Sequence, residues 1–419
     1  MLHGKDSFSI SRSGSHYIGM GQSLFDRFTI AKQTFEEAGD ILGYDLASLC
    51  FSGSMSDLNQ PSRMQPALLT ASVAAYRVFM QEIGVTPDFC AGHSLGEYSA
   101  LTCAGAIRFS DAVRLAEVRG TLAQKYADEC DGAMSIIDQV SASQLEAWCN
   151  ELGKQGSVAS VSCYNAELQA AISGSSAGVY AIEDLVLENG GNVTPLMMSA
   201  PFHSQWMEPV VAQFRSTLSE IRYQHFKMPV ISNVSAKPYR GKDSIAGLLA
   251  SQLLRPVQWQ ATLKYLKRMG VTMAIELGPK NVLSALVKLE TPATRTYSFD
   301  QVADRNELFT MFGSKPEYTK HRLTLLNRML AAAVSQPNTN ENQELFRSGV
   351  VEPYQRIEEM AEQTERDGIP PSMEQIEDAF GMLHTILRTK GLSEIEVEDI
   401  VYRIKEETSH PYLQIAAMV

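Results

Sequence analysis

The stretch Pro87-Asp88-Phe89-Cys90-Ala91-Gly92-His93-Ser94-Leu95-Gly96-Glu97-Tyr98-Ser99-Ala100-Leu101 decides how this chain is read. Its centre is a G-x-S-x-G pattern with Ser94 in the middle. A serine hydroxyl is a weak nucleophile. A fold that uses one exposes it on a sharp turn where a base and oxyanion donors converge, and the flanking glycines permit that turn. Phe89-Cys90-Ala91 reads as a short buried strand and Glu97-Tyr98-Ser99-Ala100-Leu101 opens a helix, which is the strand-turn-helix setting the pattern requires. Small residues around a serine also occur in ordinary tight turns, so the pentapeptide alone leaves a catalytic and a structural reading side by side.

Outward from the elbow, amphipathic helices alternate with short apolar runs from about Tyr17 to Leu283. Those runs include Phe89–Ala91, Val158–Val161, Pro229–Asn233 and Met273–Leu277, the pattern of an α/β domain. Beyond Phe299 they cease. Residues 335–343 form a polar linker, and helical segments follow. Ile376, Phe380, Leu383 and Leu387 share one helix face, Gly391 stops that helix, and Ser393 with Glu396 forms a capping box for the next. Residues 337–419 hold 7 basic and 17 acidic side chains, so ten of the chain's twelve excess negative charges sit in its last fifth. This marks the tail as a separate acidic, mostly helical unit.

Composition excludes several classes. At 419 residues there is room for two or three domains of roughly 150 residues. A net charge of −12 with no cluster of Lys and Arg argues against a nucleic-acid partner. No run reaches the roughly 18 apolar residues of a membrane span, and the first residues do not read as a signal peptide. Six cysteines without C-x-x-C spacing fit reduced thiols of a cytoplasmic protein better than disulfides or a metal site.

A partner base for Ser94 is sought among eight histidines. His93 adjoins the serine, but neighbours on a strained turn point apart, which favours a structural role. His203, in Ser199-Ala200-Pro201-Phe202-His203-Ser204, follows an apolar stretch and sits in a small-residue and proline loop. Such a loop can aim a side chain across a cleft. By position alone a catalytic and a structural role remain equally open.

Five ordered motifs resolve the choice. They are Gly92-His93-Ser94-Leu95-Gly96-Glu97-Tyr98, Val118-Arg119-Gly120, Ala200-Pro201-Phe202-His203-Ser204, Pro229-Val230-Ile231-Ser232-Asn233 and Glu276-Leu277-Gly278-Pro279. On these residues the chain resembles the malonyl-CoA:acyl carrier protein transacylases, from about Tyr17 to Lys288. The 109 residues between Ser94 and His203 suit that family. The resemblance implies an α/β fold: an α/β-hydrolase-like large subdomain over residues 1–127 and 199–300, and an inserted ferredoxin-like small subdomain over 128–198. Residues 301–419 would form the helical C-terminal extension.

It further implies ping-pong chemistry without a bound cofactor or metal. Ser94 takes the malonyl group from malonyl-CoA and passes it to the phosphopantetheine thiol of an acyl carrier protein or carrier domain. His203 is the implied base and acid, oriented by a backbone carbonyl that alignment of Pro256-Val257-Gln258-Trp259 assigns to Gln258. The Leu95 N–H is the implied first oxyanion donor. Ser13 stands where the family has the glutamine whose N–H is the second, a departure from the family pattern. Met1–Phe8 is polar and reads poorly as the buried first strand the family has.

Arg119 is the implied holder of the malonyl carboxylate, since a planar, always-charged fork can bond both oxygens. Phe202 resembles the bulky residue of malonyl-selective relatives, and Gln65 matches a pocket-lining glutamine that could equally be a helix cap. Asn165 and Asn233 match family positions with structural roles at least as expected. Similar tails occur on free-standing acyltransferases that load carrier domains in trans, so synthase docking through the extension is an expectation too. Two other classes share these features: an acyl-thioester editing hydrolase, against which Arg119 counts, and a catalytically weak synthase-docking module.

Overall fold

The computed structural model describes residues 5–10, 14–154, 156, 158–196, 199–313, 325–340, 342–367 and 373–408. They divide into two compact units, Met1–Val78 with Thr86–Phe309, and Phe79–Val85 with Thr310–Val419.

The first unit contains two sheets. Strands β1 (Lys5–Ile10), β2 (Phe89–Gly92), β7 (Val230–Ile231), β8 (Val271–Leu277) and β9 (Arg295–Ser298) form an all-parallel sheet in the order β7-β2-β1-β8-β9. Parallel strands need crossover connections, here supplied by helices, and such sheets are buried on both faces. β2 follows that rule, with all four of its residues buried.

The polar N-terminal segment corrects the sequence reading, because β1 is the central strand. Ser7–Ile10 pairs with Phe89–Gly92 on one side, and the whole of β1 runs beside Val271–Leu277 on the other. Phe8 and Ile10 are buried in the core, and Ser7 and Ser9 are buried as well, lining a narrow gap with Leu263, Leu266 and Val287. Strand pairing satisfies the backbone on both edges, and a serine is small enough to fit beneath helices. Side-chain polarity was therefore a poor guide.

Strands β3 (Gly132–Asp138), β4 (Ala159–Ala166), β5 (Gln169–Ser175) and β6 (Asn192–Pro195) form the second sheet, antiparallel in the order β4-β5-β3-β6. The helix Ala142–Gly153 lies between β3 and β4, and Ser176–Glu188 between β5 and β6. This βαββαβ succession with its strand order is the ferredoxin-like arrangement. Its core includes Ile137, Leu145, Val161, Ile172, Val179, Ile182 and Val186. Two backbone bonds stitch it to the larger sheet's side: Val257 N–H to the Ser162 carbonyl and Tyr164 N–H to the Val257 carbonyl, each 2.9 Å.

The second unit is helical in its described residues after Leu325. Leu325–Ser335, Glu352–Asp367, Met373–Thr389 and Glu394–Thr408 surround a core containing Met329, Ile357, Ile376, Phe380, Leu383, Leu387, Val397 and Ile400. Gly391 has φ of +97°, the left-handed conformation that ends a helix. The Ser393 N–H donates to Glu396 Oε2 at 2.9 Å, half of the expected capping box.

Candidate active site

The elbow is built by close backbone approach. Ser94 has φ 54° and ψ −112°, a conformation that non-glycine residues avoid, and it joins β2 to the helix Leu95–Cys103. A Cβ on Gly92 would collide with the Gly96 carbonyl, so the strand end can reach the helix backbone only as glycine. Asn233, just after β7, fixes the turn from below. Its Oδ1 accepts the Ser94 N–H at 2.7 Å and its Nδ2 donates to the Gly92 carbonyl at 2.6 Å.

His203 meets the serine across the first unit, with Nε2 2.8 Å from Ser94 Oγ. The histidine also has positive φ, 63°, and its N–H donates to the Leu253 carbonyl at 2.8 Å. Nδ1 lies 2.6 Å from the Gln252 carbonyl, which can only accept. The proton therefore sits on Nδ1 and the Nε2 lone pair faces the hydroxyl. Burial, reinforced by the Arg119 charge, pushes the imidazolium down to about 3 against a bond to Gln252 that favours it. The ring is neutral near pH 7, the state a general base requires.

This geometry corrects the orienting residue from Gln258 to Gln252. Gln252 ends the helix Ile245–Gln252, and the last carbonyls of a helix have no intrahelical partner, so one is available to the ring. Gln258 instead precedes the helix Trp259–Arg268, where its carbonyl accepts the Thr262 N–H and Oγ1, each at 2.9 Å. A helix C-terminus also favours the positive charge that develops on the imidazole.

Arg119 lies on the helix Phe109–Glu129 and is 1% exposed. One terminal nitrogen donates to Gln65 Oε1 at 2.7 Å and the other to Ser94 Oγ at 3.2 Å. The guanidinium sits 4.6 Å from the Phe202 ring centroid and 5.4 Å from that of Tyr98. Gly120 lets this helix touch the helix Pro61–Glu82, since a Cβ there would strike the Pro61 carbonyl, and that approach brings Gln65 to Arg119. Ser94, His203, Arg119, Gln65 and Phe202 thus converge. Leu95 starts the elbow helix, where first-turn amides lack intrahelical partners. Ser13 lies outside the described residues.

His93 turns the other way, its Nε2 2.9 Å from Asn165 Oδ1 and its ring 5.6 Å from that of Trp259. Sequence reasoning overlooked Gln252, Glu97 and Tyr239, all fully or nearly fully buried around the elbow. The burial of polar residues within apolar segments, Glu97 in the elbow helix above all, was the available signal. A cavity of about 690 Å³ lies elsewhere, lined by Phe25, Phe35, Tyr44 and Phe51 with Glu36 and Asp40. It holds none of these converging groups. Among the described residues no three His, Cys, Asp or Glu side chains could hold a metal, and no helix could cross a membrane.

A neutral imidazole on a strained serine, with an arginine fork over the same oxygen in a parallel α/β fold, defines the class of serine acyl-transfer enzymes. The chain belongs to the acyl transferase family, whose domain matches residues 8–337. It is 36% identical over 386 residues to a malonyl CoA-acyl carrier protein transacylase of Bacillus subtilis, covering 92% of this chain and 96% of the relative. That alignment takes in most of the C-terminal unit. The polyketide biosynthesis malonyl CoA-acyl carrier protein transacylase BaeC of Bacillus velezensis is 35% identical, covering 67% of this chain and 96% of the relative. A solved malonyl-transacylase, in complex with its type II polyketide acyl-carrier protein, superposes with a TM-score of 0.70 at 35% identity. It covers 74% of this chain and 100% of that one.

Proposed function

We propose that the chain is a malonyl-CoA:acyl carrier protein S-malonyltransferase working through a malonyl-Ser94 ester. The observation that carries this reading is the buried Arg119 guanidinium 3.2 Å from the hydroxyl that would be acylated. A desolvated cation beside a nucleophile is costly unless a substrate anion meets it. A malonyl thioester supplies that carboxylate, with its reacting carbonyl two bonds away.

In the first half-reaction Ser94 Oγ attacks the thioester carbonyl while His203 Nε2 accepts its proton. The Leu95 N–H, and a second donor from the segment containing Ser13, stabilise the tetrahedral oxyanion. Collapse breaks the C–S bond, and the imidazolium returns the proton to the coenzyme A thiolate. The second half-reaction runs the same steps backwards with the phosphopantetheine thiol of a carrier protein as nucleophile. Gln65 holds Arg119 in place, and the Phe202 ring covers the guanidinium and leaves little room for an α-branch. Asn233 and the Gln252 carbonyl hold the serine and the histidine.

Similarity to BaeC and to the carrier-bound transacylase supports polyketide or hybrid lipopeptide carrier domains, loaded in trans, as acceptors. The acidic C-terminal unit is the proposed contact with the synthase, and the cytoplasm the proposed compartment. Mixing the protein with malonyl-CoA and a holo carrier protein, then weighing both proteins by mass spectrometry, tests the reading. Malonyl-Ser94 followed by malonyl-carrier is the expected result. Free malonate without malonyl-carrier would instead indicate a hydrolase.

A further inference from the structure

Glu97, three residues after Ser94 on the elbow helix, has no solvent exposure. Its Oε1 accepts the Tyr239 hydroxyl at 2.6 Å and the Asn233 N–H at 3.1 Å, and its Oε2 accepts Gln252 Nε2 at 2.6 Å. Two of these donors are the residues that hold the reacting pair. The Asn233 side chain takes the Ser94 N–H, and Gln252 Nε2 also donates to the Ser94 carbonyl at 2.8 Å while its own carbonyl accepts from His203 Nδ1. One carboxylate therefore anchors the segment after β7 and the end of the helix Ile245–Gln252 against the turn that carries the nucleophile.

On the reading of Ser94 and His203 as the reacting pair, we infer that the ionised Glu97 carboxylate is a positioning group. It fixes Gln252 and Asn233 in the orientation that aligns serine and histidine, and its protonation releases them. An ionised carboxylate only accepts, which matches the donors aimed at it. A protonated one carries an O–H that needs an acceptor. Gln252 Oε1 is buried with no hydrogen-bond partner among the described residues, on the same amide whose Nε2 contacts Glu97. Turning that amide over would satisfy the new O–H, but it would carry Nε2 away from the Ser94 carbonyl. The proton on Glu97 is thereby coupled to the backbone of the nucleophile.

The groups that set the titration are on the page. Burial lifts the Glu97 carboxyl to about 7, and the bonds from Tyr239, Gln252, Asn233 and Ser232 hold it from rising further. The Tyr98 hydroxyl shares its helix, the Arg119 charge acts on it from the helix Phe109–Glu129, and His203 stays neutral in the same range.

The experiment is the rate of malonyl-Ser94 formation from malonyl-CoA between pH 5.5 and 9, with folding followed by near-ultraviolet circular dichroism. The wild-type chain should lose rate with a midpoint near pH 7. Glu97→Gln should be slowed by about a hundredfold at pH 8, the scale of a misplacement of ~1 Å, and should lack the acid limb. Tyr239→Phe removes one donor to the anion and should move the limb upward by about one pH unit. Loss of stability alone moves no such midpoint in a folded protein, and Tyr239→Phe decides the matter should Glu97→Gln fail to fold. A wild-type rate in Glu97→Gln, or an unmoved limb in Tyr239→Phe, overturns the inference. So does a flat wild-type profile, which leaves the transferase reading intact. Failure of the wild-type chain to form any adduct overturns both.

Discussion

Replacing Arg119 by alanine should change which acyl group Ser94 accepts far more than it changes the enzyme's ability to be acylated. The guanidinium now bonds two neutral oxygens, Gln65 Oε1 and Ser94 Oγ, between the Phe202 and Tyr98 rings. With Gln65 keeping its nitrogen, a malonyl carboxylate would take the place of Ser94 Oγ on the other, and a hydrogen bond to a charged partner is worth about 1.5–3 kcal/mol. That bond gives malonyl a preference of about 1.5–3 kcal/mol, or roughly tenfold to a hundredfold in kcat/KM. Acetyl-CoA presents a methyl group at the same place and has no such bond to lose. The void left by the arginine costs stability, but it burdens both donors alike. Burial, the larger cause of the depressed His203 value, persists in the variant, so the base should stay neutral at pH 7. The assay is single-turnover adduct formation with each donor, read by intact mass, alongside thermal unfolding. A malonyl-to-acetyl ratio lowered by roughly tenfold to a hundredfold is expected. An equal loss for both donors in a folded variant refutes the carboxylate assignment, and so does unchanged malonyl loading.

The pH dependence of stability offers a second test with a definite sign. His203 is depressed from 6.5 to about 3, so between those values the unfolded chain binds the extra proton and stability falls as pH falls. Glu97 is raised from 4.5 to about 7, so the native chain binds the extra proton there and stability falls as pH rises. Each slope is about 1.4 kcal/mol per pH unit, and the two oppose each other between pH 4.5 and 6.5. His203→Gln should therefore lose stability from pH 4.5 to 6.5 where the two slopes cancel in the wild type, measured by urea unfolding; parallel curves would contradict the assignment. Gly92→Ala should cost about 3 kcal/mol and abolish adduct formation, because its Cβ meets the backbone of the elbow helix. A variant that melts like the wild type and still forms malonyl-Ser94 would show that the close approach is not required.

The elbow was legible because its geometry is local: a strand end, a strained residue and a helix start lie within one pentapeptide. His203 and Arg119 were legible only through ordered motifs, since no periodicity announces a side chain that acts 109 residues away. The central strand was misjudged on Ser7 and Ser9, where pairing with β2 and β8 outweighs side-chain polarity. Gln258 was named in place of Gln252 because an alignment of segments does not say which carbonyl a neighbouring helix has already claimed.

The amino-acid sequence by itself determined the α/β class, the separate acidic helical unit and the strand-turn-helix elbow at Ser94, for these rest on periodicity, composition and contacts between near neighbours. Tertiary structure alone decided the carbonyl that orients His203, the burial of Arg119 beside Ser94 and the enclosure of Glu97. Each of those depends on where distant segments leave a hydrogen-bonding group unpaired or a charge without water, and neither quantity exists until the chain has packed.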